Sequence, residues 1–129
     1  MRILFIYPNL NHELIGYGDL GAIAEPLALE YLAASCVDLA TEMELLDLRL
    51  HPNELNNRLT IFNPDVIAIT GYSMHVMRIQ EIAQLSRERL PSSKVVVGGH
   101  HATLLAEDFK IPEIDFIVVG EGTAPFAKL

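Results

Sequence analysis

The feature that most constrains this chain is an alternation between short apolar runs and stretches whose apolar residues recur at three and four positions. The runs suit strands and the periodic stretches suit helices laid over them, so the pattern predicts a parallel sheet covered by helices on both faces. Five strand-like runs stand out: Ile3 to Tyr7, stopped by Pro8 and Asn9, then Glu42 to Leu48, Val66 to Thr70, Val95 to Val97, and Phe116 to Val119. Glu44 and Asp47 interrupt the second run and suit a strand near the sheet edge, whereas the last three suit central strands. Pro26 opens a helix with Leu27, Tyr31 and Ala34 on one face. Pro52 opens another, with Leu55, Leu59 and Phe62 as its apolar stripe and Asn63-Pro64 as its stop. A third runs from about His75 to Leu90, with Ile79, Ile82, Ala83 and Leu90 toward the sheet, and a shorter fourth lies near Thr103 to Lys110.

At 129 residues, half of them hydrophobic, the chain suits one α/β domain with a real core. A five-stranded βα repeat of this length predicts the flavodoxin-like (Rossmann-like) doubly wound parallel sheet, order 2-1-3-4-5, with ligands bound outside the carboxyl ends of the strands. The single cysteine, Cys36, excludes an internal disulfide framework and any all-cysteine metal or iron–sulfur site within the sequence. No apolar run reaches the roughly 18 residues of a membrane span, and Met1 to Ile6 is too short for a signal peptide, so the expected location is cytoplasmic. A net charge of −8 disfavours a nucleic-acid partner and suits ordinary solubility. After Gly122 only seven residues remain, with Phe126 and Leu129 three apart as in the first turn of a helix. Such a stub is too short to stand alone, and the expectation is that residues 1–129 are the N-terminal piece of a longer protein.

The binding rule directs attention to the loops that leave the strands. The first, from Pro8 to Glu25, is about 18 residues and far longer than an ordinary βα connection. It contains Gly16-Tyr17-Gly18-Asp19-Leu20-Gly21, a literal G-x-G-x-x-G. A dinucleotide site needs that triplet to turn directly out of the strand and open the helix, but Gly16 lies nine positions beyond Tyr7 and Pro26 comes later still. A glycine-containing lid fits better, although Asp47 could imitate the acidic ribose ligand of such sites. Gly98-Gly99 ends the fourth strand and removes two Cβ atoms side by side, as needed where a bulky ligand approaches the backbone. A turn with positive φ would need only one glycine. Gly120-Glu121-Gly122-Thr123 serves equally as a turn with a helix cap or as a ligand contact. Gly71-Tyr72-Ser73-Met74-His75 follows the third strand, with Ser73 placed to cap a helix or to contact a ligand. Three of the five histidines, His75, His100 and His101, fall on this rim and His12 lies in the long first loop, yet their spacing matches no zinc motif. A phospho-receiver would need an acidic cluster after the first strand and a lysine after the fifth; a flavin site would need a hydroxyl-rich loop after the first. The sequence has neither.

Taken together, Arg2-Ile3-Leu4-Phe5-Ile6-Tyr7-Pro8, Glu25-Pro26-Leu27-Ala28-Leu29-Glu30-Tyr31-Leu32-Ala33-Ala34, Pro64-Asp65-Val66-Ile67-Ala68-Ile69-Thr70, Val95-Val96-Val97-Gly98-Gly99-His100-His101-Ala102-Thr103 and Asp115-Phe116-Ile117-Val118-Val119-Gly120-Glu121-Gly122 resemble the N-terminal cobalamin-binding domain of radical S-adenosylmethionine enzymes. These include methyltransferases and the anaerobic magnesium-protoporphyrin monomethyl ester cyclase. The resemblance implies cobalamin, a cobalt corrinoid, at the carboxyl edge of the sheet. It also implies a following radical barrel that carries the iron–sulfur cluster and S-adenosylmethionine, both outside this chain. Gly98 and Gly99 match the pair that makes room for the nucleotide tail, Ser73 lies where the loop after the third strand meets that tail, and Gly120, Glu121 and Gly122 match the motif flanking the same groove. With Pro8, Gly71, Tyr72, His100, His101 and Thr103 they are the candidate cofactor-binding residues; no residue is assigned a catalytic or metal-ligating role. The Asp-x-His-x-x-Gly signature that would supply a histidine to cobalt is absent, since Leu10 and Ile15 flank His12 at its positions. The competing expectation is a nucleotide-binding or purely interactive module of the same fold without cobalamin.

Overall fold

The computed structural model describes residues 1–10, 23–126 and 128. The G-x-G-x-x-G motif, His12 and Leu129 lie outside the described residues. Strands β1 (Arg2–Tyr7), β2 (Glu42–Asp47), β3 (Val66–Thr70), β4 (Lys94–Gly98) and β5 (Phe116–Ile117) form one sheet. Every pairing is parallel and the order is β2-β1-β3-β4-β5, the doubly wound arrangement expected from the βα alternation. Helices α1 (Leu27–Ser35), α2 (Leu55–Phe62), α3 (Val76–Arg89), α4 (His100–Leu104) and α5 (Thr123–Phe126) connect and cover the strands, with 3-10 turns at Ser73–His75 and Ala106–Phe109.

Because side chains alternate across a strand, each strand feeds two cores. Leu4 and Ile6, Ile67 and Ile69, and Val95 and Val97 face α2 and α3, where they meet the buried stripe Leu55, Leu59, Phe62 and the buried Ile79, Ile82 and Ala83. Ile3 and Phe5, Ala68 and Val96 face the other way, toward Leu29 and Cys36 of the α1 segment and Phe126 of α5. The rings of Phe5 and Phe126 lie 5.9 Å apart and tilted. Helix α2 ends on Asn63 in the left-handed conformation (φ 48°), immediately before Pro64, as the sequence punctuation predicts.

Four expectations need correction. Leu27 and Tyr31 are exposed, and the buried face of α1 is set by Leu29 with half-buried Leu32 and Ala33. The segment is apolar almost all round, so spacing alone does not choose which side meets the sheet. Helix α2 starts at Leu55, since Pro52 lies in the preceding turn. The fourth helical region begins at His100, directly after Gly99, and breaks at Leu105 into a 3-10 turn. Finally, β5 is a two-residue edge strand. Its amino end is held by Asp115, whose carboxylate accepts hydrogen bonds from the Val95 amide at 2.8 Å, Arg87 Nη2 at 2.5 Å and Lys94 Nζ at 3.1 Å. Burial, the largest single influence, raises the Asp115 pKa, but those donors together outweigh it and hold the carboxyl below its ordinary value.

Candidate functional site

At the carboxyl edge of the sheet, on the side covered by α1 and α5, lies an open cavity of about 740 Å³. Its origin is legible in the strand pleat. On this side the two central strands present Ala68 and Thr70, and Val96 and Gly98; the same strands present Ile67, Ile69, Val95 and Val97 to the opposite side. The small residues leave space that the isoleucines fill on the other side. Leu29 and Leu32 of α1 form one wall, Val118 and Phe126 close the far side, and Tyr31, His100, Thr103 and the Gly120 to Thr123 segment border the mouth.

The two glycines of the β4 end do different work. A Cβ on Gly98 would meet Val118 Cβ at 3.5 Å, an ordinary van der Waals contact, so the fold itself does not require glycine there. At Gly99 the backbone has φ 98° and ψ −166°, a conformation essentially restricted to glycine. A Cβ there would lie 2.5 Å from Thr70 Oγ1 and 3.1 Å from the Gly71 amide nitrogen. The close approach at Gly99 is therefore made by the protein's own chain, whereas Gly98 is the one of the pair with open space beside its backbone, on the cavity. Gly71 is also closely packed, since a Cβ would lie 2.9 Å from Ile79 Cδ1 and 3.0 Å from His75 Cβ.

Thr103 ties the rim together: its hydroxyl donates to the Gly99 carbonyl at 2.9 Å and accepts from the Gly120 amide at 3.0 Å. Gly120 has φ 80°, which suits glycine at the turn out of β5. Glu121 Oε1 accepts from the Thr123 amide at 3.1 Å and the Thr123 hydroxyl at 3.0 Å. The Thr123 amide and hydroxyl, the former foremost, pull the Glu121 carboxyl below its usual pKa. The carboxylate thus holds the start of α5 at the cavity mouth.

Of the candidate residues, the structure brings Gly98, Gly99, His100, Thr103, Gly120, Glu121 and Gly122 together around this cavity. Pro8, Gly71, Tyr72, Ser73 and His101 do not line it. Pro8 is buried beyond β1. Tyr72 is exposed at the rim, its ring 5.8 Å from that of His100. His101 is buried: its Nδ1 lies 2.9 Å from Ser73 Oγ and its Nε2 2.8 Å from Asp108 Oδ2, while its ring meets Phe109 edge-on. Ser73, His101 and Asp108 form a staple between the loop after β3 and the 3-10 turn after α4. His75 is fully buried, its Nδ1 accepting from the Tyr72 amide at 3.1 Å. The expected histidine cluster therefore resolves into two structural residues and one, His100, that opens on the cavity. Among the described residues, no group of three or more His, Cys, Asp and Glu could hold a metal ion. Asp47, the possible ribose ligand, is buried in a two-point ion pair with Arg49, at 3.0 Å and 2.6 Å, and the Arg49 guanidinium stacks 3.9 Å from the Tyr7 ring centre. Its hydrogen-bonding capacity is spent within the protein.

Thr70 is the cavity-lining strand residue that sequence reasoning missed. It pairs with Gly98 in the sheet register and lines the cavity. The available signal was a hydroxyl residue ending an otherwise apolar strand, next to a glycine. The α1 contribution was missed because its apolar residues read as core.

The chain has known relatives. A family model described as "B12 binding domain" matches residues 15–129. The chain is 34% identical over 137 aligned positions to an anaerobic magnesium-protoporphyrin IX monomethyl ester cyclase of Synechocystis sp., covering all of this chain and 27% of that protein. It is 31% identical to the hopanoid C-3 methylase of Methylococcus capsulatus, covering all of this chain and 25% of the relative. Over 54% of its length it is 37% identical to a cobalamin-dependent radical SAM methyltransferase of Streptomyces tokunonensis. The crystal structure of a cobalamin-binding protein from Desulfitobacterium hafniense superposes with a TM-score of 0.54 at 15% identity, covering 98% of this chain and 55% of that one, which shows the shared fold. The chain thus spans about a quarter of the length of the cyclase and the methylase.

Proposed function

Because this chain belongs to the B12-binding domain family, we propose that it binds cobalamin across the carboxyl edge of its sheet, with the nucleotide tail in the cavity beneath α1. The observation that carries this reading is the 740 Å³ cavity floored by small residues at the ends of β3 and β4. A corrin ring is a broad disc with an amide fringe and suits the open rim formed by the loops after the strands. Its tail is narrow and suits a slot between a helix and a sheet. Gly98 gives the tail its clearance and Thr70 stands opposite Gly98 at the slot entrance. His100, Thr103 and the Gly120 to Gly122 segment border the mouth, with Tyr72 and Ser73 farther along the rim. The protein's part is to orient the cofactor and exclude water; cobalamin, when bound, supplies the carbon–cobalt chemistry.

Relatives that include a cobalamin-dependent radical SAM methyltransferase and an anaerobic cyclase support the wider proposal of a radical S-adenosylmethionine methyltransferase or cyclase, in which this domain presents cobalamin to a separate radical barrel. Iron–sulfur cluster and S-adenosylmethionine belong to that other part, since one cysteine cannot hold a cluster. Among the described residues no helix is long and apolar enough to cross a membrane. The test is a visible-spectrum titration of the 129-residue chain with hydroxocobalamin, with tail-free cobinamide in parallel. A saturable change with hydroxocobalamin and a much weaker one with cobinamide is expected. No saturable change with either corrinoid overturns the reading.

A further inference from the structure

We infer that this site selects corrinoids by the chemistry of their lower base, favouring an apolar benzimidazole over adenine; the inference rests on the cobalamin reading above. The deep lining of the cavity, Leu29, Leu32, Ala68, Val96, Val118 and Phe126, carries no side-chain hydrogen-bond donor or acceptor. The polar groups stand at the mouth, and two of them are committed to the protein itself. Thr103 bridges Gly99 and Gly120, and the Thr123 hydroxyl donates to Glu121. A base pushed between α1 and the sheet therefore meets hydrocarbon along its outer edge.

Dimethylbenzimidazole presents two methyl groups and aromatic C–H to that lining. Adenine presents an exocyclic amine and two further ring nitrogens at the corresponding positions. Where the base reaches the deep lining, inside Thr70 and the other polar groups of the mouth, those groups leave water for a surface with no side-chain partner, and a buried unpaired polar group is costly. The discrimination expected from such a mismatch is roughly ten- to hundredfold in affinity, the range an apolar pocket achieves against a polar ligand of similar shape.

The experiment titrates the 129-residue chain with hydroxocobalamin and with its adeninyl analogue, pseudocobalamin, at one pH and ionic strength. The same pair is run on Val118→Thr, a near-isosteric change that places a hydroxyl in the deep lining, with circular dichroism as the check on folding. At least about tenfold weaker binding of the adeninyl form is expected, with a smaller ratio in the folded variant. Equal affinities in the unsubstituted chain, or tighter binding of the adeninyl form, overturn the inference and leave cobalamin binding standing. An unchanged ratio in Val118→Thr overturns the assignment of the apolar floor as its cause. Cobinamide bound as tightly as cobalamin removes the tail from the cavity and the inference with it. Failure of every corrinoid to bind refutes the underlying reading instead.

Discussion

The two faces of the sheet are made from the same strands and serve opposite ends. Toward α2 and α3, alternate residues of β3 and β4 are Ile67, Ile69, Val95 and Val97, and helical Leu59, Ile79 and Ile82 close over them without exposure. Toward α1 and α5, the residues between them are Ala68, Val96 and Gly98, and the helix stands over a cavity. One face supplies stability through burial at about 25 cal/mol per Å² of apolar surface. The other gives up part of that burial to leave space. Period-two alternation lets a single strand do both, since a substitution on one face leaves the other's side chains in place.

If the division is real, the faces respond to mutation in different observables. The largest effect is expected on the filled side: Leu59→Ala should lower unfolding free energy by about 2–5 kcal/mol. Urea denaturation followed by circular dichroism measures this, and the affinity of the folded fraction for hydroxocobalamin should stay unchanged. On the hollow side Gly98→Phe should weaken hydroxocobalamin binding about 100-fold, equivalent to about 2.7 kcal/mol. Its thermal midpoint should stay near that of the parent, because a Cβ there meets only Val118 at van der Waals distance. A large drop in midpoint would make Gly98 structural and erase the contrast.

The neighbouring glycine sharpens the comparison. Gly99→Ala should cost about 1–3 kcal/mol of stability through backbone strain and contact with Thr70 Oγ1, with affinity per folded molecule little altered. Loss of affinity at full stability would reverse the roles assigned to the pair.

The smallest effect concerns the amino edge, remote from the cavity. The Asp115 carboxyl lies below its ordinary pKa of 3.8 in the folded chain. Its ionised form therefore stabilises the fold fully above that ordinary value, and the contribution fades as pH falls through the lower folded value. Asp115→Asn should remove this part of the acid dependence, flattening the stability curve below about pH 4, while hydroxocobalamin affinity at neutral pH stays constant. Denaturation midpoints of the two proteins across pH 2 to 6 would separate these outcomes; parallel curves would contradict the assignment.

Much of the fold is legible in the residues. The punctuation Pro8-Asn9, Asn63-Pro64 and Gly98-Gly99 ends elements where the structure ends them or within a residue, and the stripes Leu55, Leu59, Phe62 and Ile79, Ile82, Ala83 face the sheet as their spacing predicts. The seven candidates that gather at the cavity do so because parallel strands bring all their carboxyl ends to one edge. Position on that edge does not say which side of the sheet a residue takes. His75 and His101 sit at the same rim as His100 and turn inward, while Ser73 stays exposed and bonds to His101.

The sequence by itself determined the class of fold, the strand order and the edge at which the cavity opens, because hydrophobic period and turn chemistry are local and repeat along the backbone. Only the tertiary structure decided which face of α1 is buried, which glycine clears a space and which merely escapes a collision with Thr70, and which histidine opens outward. Those outcomes depend on the volume and position of partners far away in the chain, as when Ala68 and Gly98 leave a gap that Leu29 and Phe126 border without filling.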